Sequence, residues 1–512
     1  VTSNITLTTG GLQSPEHHRR AEALQERIAR ITTRHPTVGL ALGVVRGDSF
    51  DTFFGHGVSD IDAATPMTEH TVVRIASITK TFTAVAIMQL AERDLVDLDA
   101  PAASYLRSYR LLPSRYGDRA PTIRHLLTHT SGIGEVVRAA DALRPDFGES
   151  VPAGDPIPSL ADFYRGAIQL RAEPGSRFVY NNHGPATLGQ IVQDVTGLPL
   201  AEYLRANVFE PLGMHETDLG RTERIRSALA TGYEITDRGV VPQADREMVT
   251  HGAASIYSTA ADMARYLIAL LDDDTAARPS ILQRATLATM FAPHYQPDPR
   301  LVGMGLGFFR YRVGDRVIVG HQGTHPGFHS QIHLDPIERV AVMAFTNGAH
   351  MADLWLPAET AALLDDIEGA TRDGAALPNP EIWSHIRGWY ALDAAPTDVR
   401  LRGMIGAGVE VFMRRASLML RFLTPVPALA AGFPMYAADP SDPFVFEIRP
   451  DDASGPMRVA FRPNAAGRMD LTFEAMPIVL KGQPAWTNPR RAITGVAAAG
   501  VGVCAARRLQ GR

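Results

Sequence analysis

The 512-residue sequence predicts a mixed α/β (α+β) fold with a second, all-β domain. Three observations carry this. The chain is longer than one core usually organises. From about residue 15 to 350, strand-like alternation appears at both ends with helical periods between. After a polar stretch containing Gly and Pro, several short alternating segments follow at near-regular spacing.

Taken in order, residues 1–14 read as an N-terminal tail, and about 15–33 as a charged amphipathic helix. "VGLALGVVRGDSFDTFFGHGVSD" then alternates around Arg46-Gly47-Asp48-Ser49 as a hairpin does. Helical periods follow at Ser77–Arg93, Thr122–Thr128, Pro185–Thr196 (closed by Gly197) and Thr259–Leu271. From Gly307 the pattern returns to strands, with "FFRYRVGDRVIVGHQG" and "HSQIHLDPIERVAVMAFTN" turning at Gly314-Asp315 and Asp335-Pro336. Strands at both ends of one unit imply an antiparallel sheet closed by those ends and flanked by helices, with a helical subdomain, over residues 15–365. A linker is expected over 366–384, around "LDDIEGATRDGAALPNPEIW". Residues 385–485, with "GVEVFMRRASLMLRFL", "DPFVFEIRPD", "MRVAFRPNAAGRMDLTFE" and "MPIVLKG", read as a small antiparallel barrel or sandwich, and a lipocalin-like barrel is expected. Residues 486–512 form the C-terminal tail.

Composition narrows the function. Apolar residues at 45% and charged residues at 21% are ordinary for a globular protein. A net charge of −5 with no basic block leaves no nucleic-acid footprint. Cys504, the sole cysteine, rules out an intramolecular disulfide. The N-terminal stretch lacks the apolar run of about 7–15 residues that a secretory signal needs, so a cytoplasmic location is expected. The apolar run Ala492–Ala506 is shorter than the roughly 20 residues that span a bilayer, so a floppy or docked tail is expected rather than a membrane anchor.

The chain writes nearly all its basic residues as arginine; its only lysines are Lys80 and Lys481. A guanidinium does not give up its proton in a protein, whereas an ammonium can be driven toward the neutral amine by burial or neighbouring charge. A site that moves a proton can therefore use Lys80 and could not use Arg. Ser77 lies three residues earlier, on the same helical face, where backbone N–H groups at a helix start favour negative charge on its oxygen.

Two further stretches complete a pattern. "SITK" at 77–80, "YNN" at 180–182 and "HQG" at 321–323 match, in order, S-x-x-K, Y-x-N and H-x-G. "PTIRHLLTHTSGI", "RFVYNNHGPATLGQIV", "VFEPLGMHETDL", "HGAASIYSTAADMARYL" and "VGHQGTHPGFHSQIHLD" supply similar context. Over about residues 20–350 the sequence resembles the serine β-lactamase and penicillin-binding-protein superfamily, most closely its class C-like branch with the esterases and D-amino-acid peptidases.

The resemblance implies a β-lactamase/transpeptidase-like domain and metal-free acyl transfer, without a cofactor, to a small-molecule or short-peptide acyl substrate. Ser77 would be the acylated nucleophile, and Lys80 with Tyr180 the proton-transfer pair. Asn182 would hold Lys80 or the substrate amide. The oxyanion would lie between the backbone N–H groups of Ser77 and Thr324, with Gly323 letting its strand approach closely. Penicillin-recognising relatives carry a permanently charged Lys where His321 stands. A mostly neutral imidazole would donate one hydrogen bond instead of a full charge, so carboxylate recognition should weaken and neutral esters or amides be preferred over β-lactams. The alternatives are a D-amino-acid peptidase or amidase, an acyltransferase, or a catalytically silent binding protein that uses the same cleft.

Other motifs carry less. His125 and His129 have the i, i+4 spacing of zinc ligands, but the glutamate of H-E-x-x-H is missing, which favours core or cap roles. "GMGLGF" breaks the dinucleotide pattern at Phe308, and no G-x-S-x-G elbow is present. Lys481 is expected on the surface.

Overall fold

The strands Gly39–Arg46, Phe328–Asp335 and Val340–Thr346 of the larger unit are buried at almost every position, which suits a sheet covered on both faces. In the computed structural model, which describes residues 6–9, 15–271, 280–313, 316–368, 379–393, 398–449 and 456–490, this sheet is the main element. It contains β1 (Thr6–Thr9), β2 (Gly39–Arg46), β3 (Ser49–Asp60), β4 (Gly303–Met304), β5 (Phe309–Val313), β6 (Arg316–His325), β7 (Phe328–Asp335) and β8 (Val340–Thr346). Their antiparallel order is β1-β3-β2-β8-β7-β6-β5-β4, and a ninth short strand, Thr65–Pro66, pairs with β3. The two ends of the unit meet where β2 pairs with β8, Val44 opposite Val342.

Alternation sorts the side chains between two cores. Leu40, Leu42 and Val44 of β2, with Val340, Val342 and Ala344 of β8, pack with Ile28 and Ile31 of helix α1 (Pro15–Arg34) and with a C-terminal helix through Trp355, Leu356 and Leu363. Ala41 and Val45, with Ala341, Met343 and Phe345, face the larger, helical core. That core surrounds α2 (Thr79–Glu92), buried from Thr79 to Leu90 on every side, its buried polar residues Thr81, Thr83 and Gln89 satisfied by backbone carbonyls. Phe82 stacks on Tyr266 with ring centroids 3.8 Å apart and meets Phe209 edge-on. The other helices that frame the site are α3 (Ile123–Leu127), α4 (His183–Thr196), α5 (His251–Ala254), α6 (Ala260–Leu270) and α7 (Ala352–Glu368). Gly197 ends α4 in the left-handed conformation, φ 76°.

The chain divides into two compact units, the smaller taking Pro297–Leu301 with the C-terminal region. Here β9 (Gly388–Leu392), β10 (Gly408–Arg414), β11 (Ser417–Phe422), β12 (Phe433–Ala437), β13 (Val445–Ile448), β14 (Met457–Pro463), β15 (Met469–Phe473) and β16 (Val479–Gln483) form a closed eight-stranded barrel. Closure pairs Trp389 with Gln483 and leaves no free edge. Val409, Leu420, Phe446, Ile448, Phe461 and Leu480 are buried in it. Arg300 donates to Asp298, to Asp442 and to the Phe461 carbonyl, while Leu301 packs with Val445 and Ala460.

Several boundaries differ from the sequence reading. Thr6–Thr9, placed there in a tail, pairs with β3 instead, because that sheet edge offers unpaired backbone groups. α7 runs to Glu368, past the expected start of the linker, because Leu363 and Leu364 bury against the sheet. Two short helices, Val399–Ile405 and Pro427–Ala431, interrupt the barrel strands. Lys481 is half exposed but bonds Asp470 at 2.7 Å. The Gly314-Asp315 turn, most of the linker, the Ala492–Ala506 run and Cys504 lie outside the described residues. Among the described residues no helix is long and apolar enough to cross a membrane.

Candidate active site

Ser77 sits in a single 3-10 turn, Ala76–Ile78, that feeds directly into α2. Ala76 carries φ 45°, a left-handed conformation that costs an alanine energy and turns the chain sharply just before the serine. The turn is held from outside: Thr79 Oγ1 accepts from the Ile256 N–H, and the Ile75 carbonyl accepts from Ser330 Oγ on β7.

One turn along, Lys80 is 3% exposed. Its Nζ lies 2.8 Å from Ser77 Oγ, 2.8 Å from Asn182 Oδ1 and 3.1 Å from the Ala253 carbonyl on α5. The last two only accept, so they take two amine protons. The third direction faces Ser77, where an ammonium donates and a neutral amine accepts. The arrangement thus suits both protonation states of a group that exchanges a proton with a hydroxyl.

Asn182 stands at the N-cap of α4, yet its side chain makes no cap bond. It spans instead from Lys80 to the buried carboxylate of Glu149, donating Nδ2 to Oε2 at 2.7 Å. Tyr180 precedes it, with Lys80 Nζ 5.0 Å from the ring centroid. The phenol ring lies among His129, Phe309 and His321, at centroid separations of 4.6, 6.1 and 6.1 Å. His129 also accepts the Asn181 N–H at Nδ1, fixing the loop from a second side. Its pKa is lowered well below the ordinary value, first by burial and then by the charge of Lys80. His125 completes a capping box with Thr122 at the start of α3.

β6 brings the third motif against the serine turn. A Cβ added at Gly323 would stand 2.3 Å from both the Ile75 carbonyl and Ser330 Oγ, and 3.1 Å from Ser77 N, so only glycine permits this approach. Thr324 alternates to the opposite face, where Oγ1 bonds Asp353 of α7. His321 is wholly buried, and its Nδ1 lies 2.6 Å from the Gln322 carbonyl. A carbonyl only accepts, so the ring proton is on Nδ1. Burial above all, with Lys80 nearby, pushes the imidazole down to about 3. Nε2 therefore carries a lone pair at neutral pH, and among the described residues it has no hydrogen-bond partner. The neutral imidazole donates its one proton to the neighbouring backbone carbonyl, which leaves Nε2 as an acceptor. Four residues on, His325 Nε2 accepts from Arg74, whose guanidinium also faces Asp245 and Glu247 at 3.4 and 3.7 Å.

The structure thus brings together Ser77, Lys80, Tyr180, Asn182, His321 and Gly323, and leaves the Thr324 side chain outside. Sequence reasoning missed Glu149, Ala253 and the contact of His129 with the tyrosine loop. Glu149 and Ala253 carry no spacing signal, being 33 residues from Asn182 and 173 from Lys80.

Residues 24–365 match the Beta-lactamase family profile. The chain is 24% identical over 389 residues to a D-aminopeptidase of Gluconobacter oxydans, covering 74% of this chain and 69% of that one. It is 35% identical over 181 residues to Esterase EstB of Burkholderia gladioli, covering 34% and 45%. Among solved structures, the octameric penicillin-binding protein homologue from Pyrococcus abyssi superposes with a TM-score of 0.57 at 24% identity, over 90% of this chain and 99% of that one.

Gly323→Ala is expected to reduce kcat/KM by about 100-fold, the cost of displacing a reacting group by about 1 Å, with an unchanged circular dichroism spectrum. A pH series of urea unfolding tests the histidines. His321, His325 and His333 are each held down to about 3, chiefly by burial, against about 6.5 when unfolded. Their contribution to stability is full above about pH 6.5 and is lost progressively as pH falls toward 3, because the unfolded chain binds the protons first. His321→Gln should make that slope shallower by about one proton.

Proposed function

The chain belongs to the Beta-lactamase family of serine hydrolases, which includes esterases, D-aminopeptidases and carboxypeptidases, and from that premise we propose that it cleaves neutral ester or amide substrates through an acyl-enzyme on Ser77. The observation that carries the reading is the Lys80 amine, 2.8 Å from Ser77 Oγ with its other two directions occupied by strict acceptors. In the proposed cycle Ser77 Oγ adds to the substrate carbonyl while its proton passes to the Lys80–Tyr180 pair. The backbone N–H groups of Ser77 and Thr324 stabilise the oxyanion. Collapse expels the alcohol or amine, which leaves with the transferred proton. Water then adds to the acyl-enzyme, the same pair takes its proton, and collapse releases the acid and returns a proton to Ser77. Because coupled groups titrate as a pair, no single residue is assigned as the resting base.

The preference for neutral substrates is supported by the electrostatics of β6. His321 offers a lone pair and no charge, and the guanidinium of Arg74 is already faced by two carboxylates. Neither presents the free cation that would anchor a substrate carboxylate. A D-amino-acid peptidase or amidase is the second reading, favoured by the likeness to the D-aminopeptidase over most of its length. An uncharged amide would meet the same site. A silent binding protein would have no need of a fully hydrogen-bonded buried lysine.

Intact-mass analysis after exposure to a fluorophosphonate is expected to find one adduct, mapped to Ser77, and none in Lys80→Arg, which keeps the charge and loses proton exchange. Absence of the wild-type adduct, while a control serine hydrolase is labelled, would overturn the reading. On a substrate panel, aryl or alkyl esters should be turned over faster than cephalosporins; the reverse order would overturn the substrate preference.

A further inference from the structure

Glu149 has no place in the cycle above, yet it is 1% exposed and immediately precedes a short strand, Ser150–Pro152, paired with Arg246–Met248. Its backbone is pinned by the Val249 N–H. Its Oε2 accepts from Asn182 at 2.7 Å and from Thr250 Oγ1 at 3.5 Å, and Oε1 lies 3.7 Å from His183 Nε2. Burying a carboxylate is costly unless it is well partnered, so its position beside Asn182 calls for an account.

We propose that Glu149 is a positioning residue for the reaction at Ser77, fixing the orientation of the Asn182 amide and thereby the direction in which Lys80 presents its nitrogen. The proposal rests on the acyl-enzyme reading above. A side-chain amide has nearly the same shape in its two orientations, and its neighbours decide between them. With the Asn182 carbonyl toward Lys80, one amine proton is taken and the nitrogen is left free to exchange the other proton with Ser77. With the amide reversed, the NH2 group would confront an ammonium, donor against donor. A neutral amine would instead turn its lone pair to Asn182, away from the serine. Glu149 excludes the reversed state because a carboxylate only accepts, and reversal would set the Asn182 carbonyl oxygen against it. The chain Glu149–Asn182–Lys80–Ser77 therefore transmits an orientation, and no proton moves through Asn182.

Glu149→Gln removes the constraint with little change of volume, since a glutamine amide can serve Asn182 in either orientation. Fluorophosphonate labelling rates at Ser77, measured across pH for the wild type, E149Q and E149D, together with kcat and KM on an aryl ester, test the proposal. For E149Q, kcat should fall about 10- to 100-fold, as for a misdirected reacting group, with KM little changed. The acid limb should also move to lower pH, because losing a nearby negative charge makes Lys80 and Tyr180 both easier to deprotonate. E149D, which keeps the acceptor-only charge, should hold the limb in place and recover part of the rate.

Adding E149Q to Asn182→Ala should cost nothing further, which keeps the test open even where E149Q alone loses stability. Wild-type labelling by E149Q at every pH would overturn the proposal. So would equal losses in E149Q and E149D with an unmoved limb, or a full second loss in the double variant. A wild type that is not labelled at Ser77 would instead remove the acyl-enzyme reading, and the role of Glu149 with it.

Discussion

The site depends on keeping one buried amine supplied with acceptors. Lys80 is almost fully enclosed, where an unpaired ammonium would be costly and an unpaired amine would waste its donors. Asn182 comes from the start of α4, the Ala253 carbonyl from α5 and Ser77 from the turn before α2. Each of these elements is fixed by other contacts. α2 is buried on every side, Gly252 of α5 closes on Gly189 of α4, and β6 lies against the serine turn because Gly323 has no side chain. The packing of the helical core is therefore the means by which three acceptors converge on one nitrogen.

The sheet plays the complementary part. Its strands carry histidines where a polar residue must be buried without charge: His321, His325 and His333 all sit on β6 and β7, each held neutral chiefly by burial. Each pairs a ring nitrogen with a backbone carbonyl or a polar side chain. A lysine at position 321 would bring a second cation toward Lys80 and disfavour its ammonium. The imidazole thus leaves the electrostatic field near the serine to Lys80 and the helix start.

Much of this was legible in the sequence. Alternation marked β2, β3 and β5 to β8, with the turn between β2 and β3 where Gly47 and Asp48 stand, and Gly197 marked the end of α4. The rarity of lysine drew attention to Lys80, and the ordered motifs assembled its neighbours. The parts that were not legible depend on contacts between distant segments. Glu149 lies in a loop with no periodicity, and its meaning comes only from the amide it meets. The tautomer of His321 is set by the carbonyl of the next residue, which no residue-type pattern encodes. β1 is a strand because an edge was available to it, and Pro297–Leu301 joins the barrel unit through Arg300, although in sequence it falls between elements of the other unit.

The scarcity of lysine that makes Lys80 conspicuous also gives the molecule an unusual chemical surface. Reagents that seek primary amines find two lysine side chains in 512 residues. One is enclosed within the catalytic unit, and the other, Lys481, lies half exposed on the barrel in a single ion pair with Asp470. An exposed ion pair of this kind is worth at most about 1 kcal/mol and holds its amine only loosely. Of the two lysine side chains, amine-directed coupling would therefore use the one on the barrel, at a defined address, and spare the enclosed Lys80.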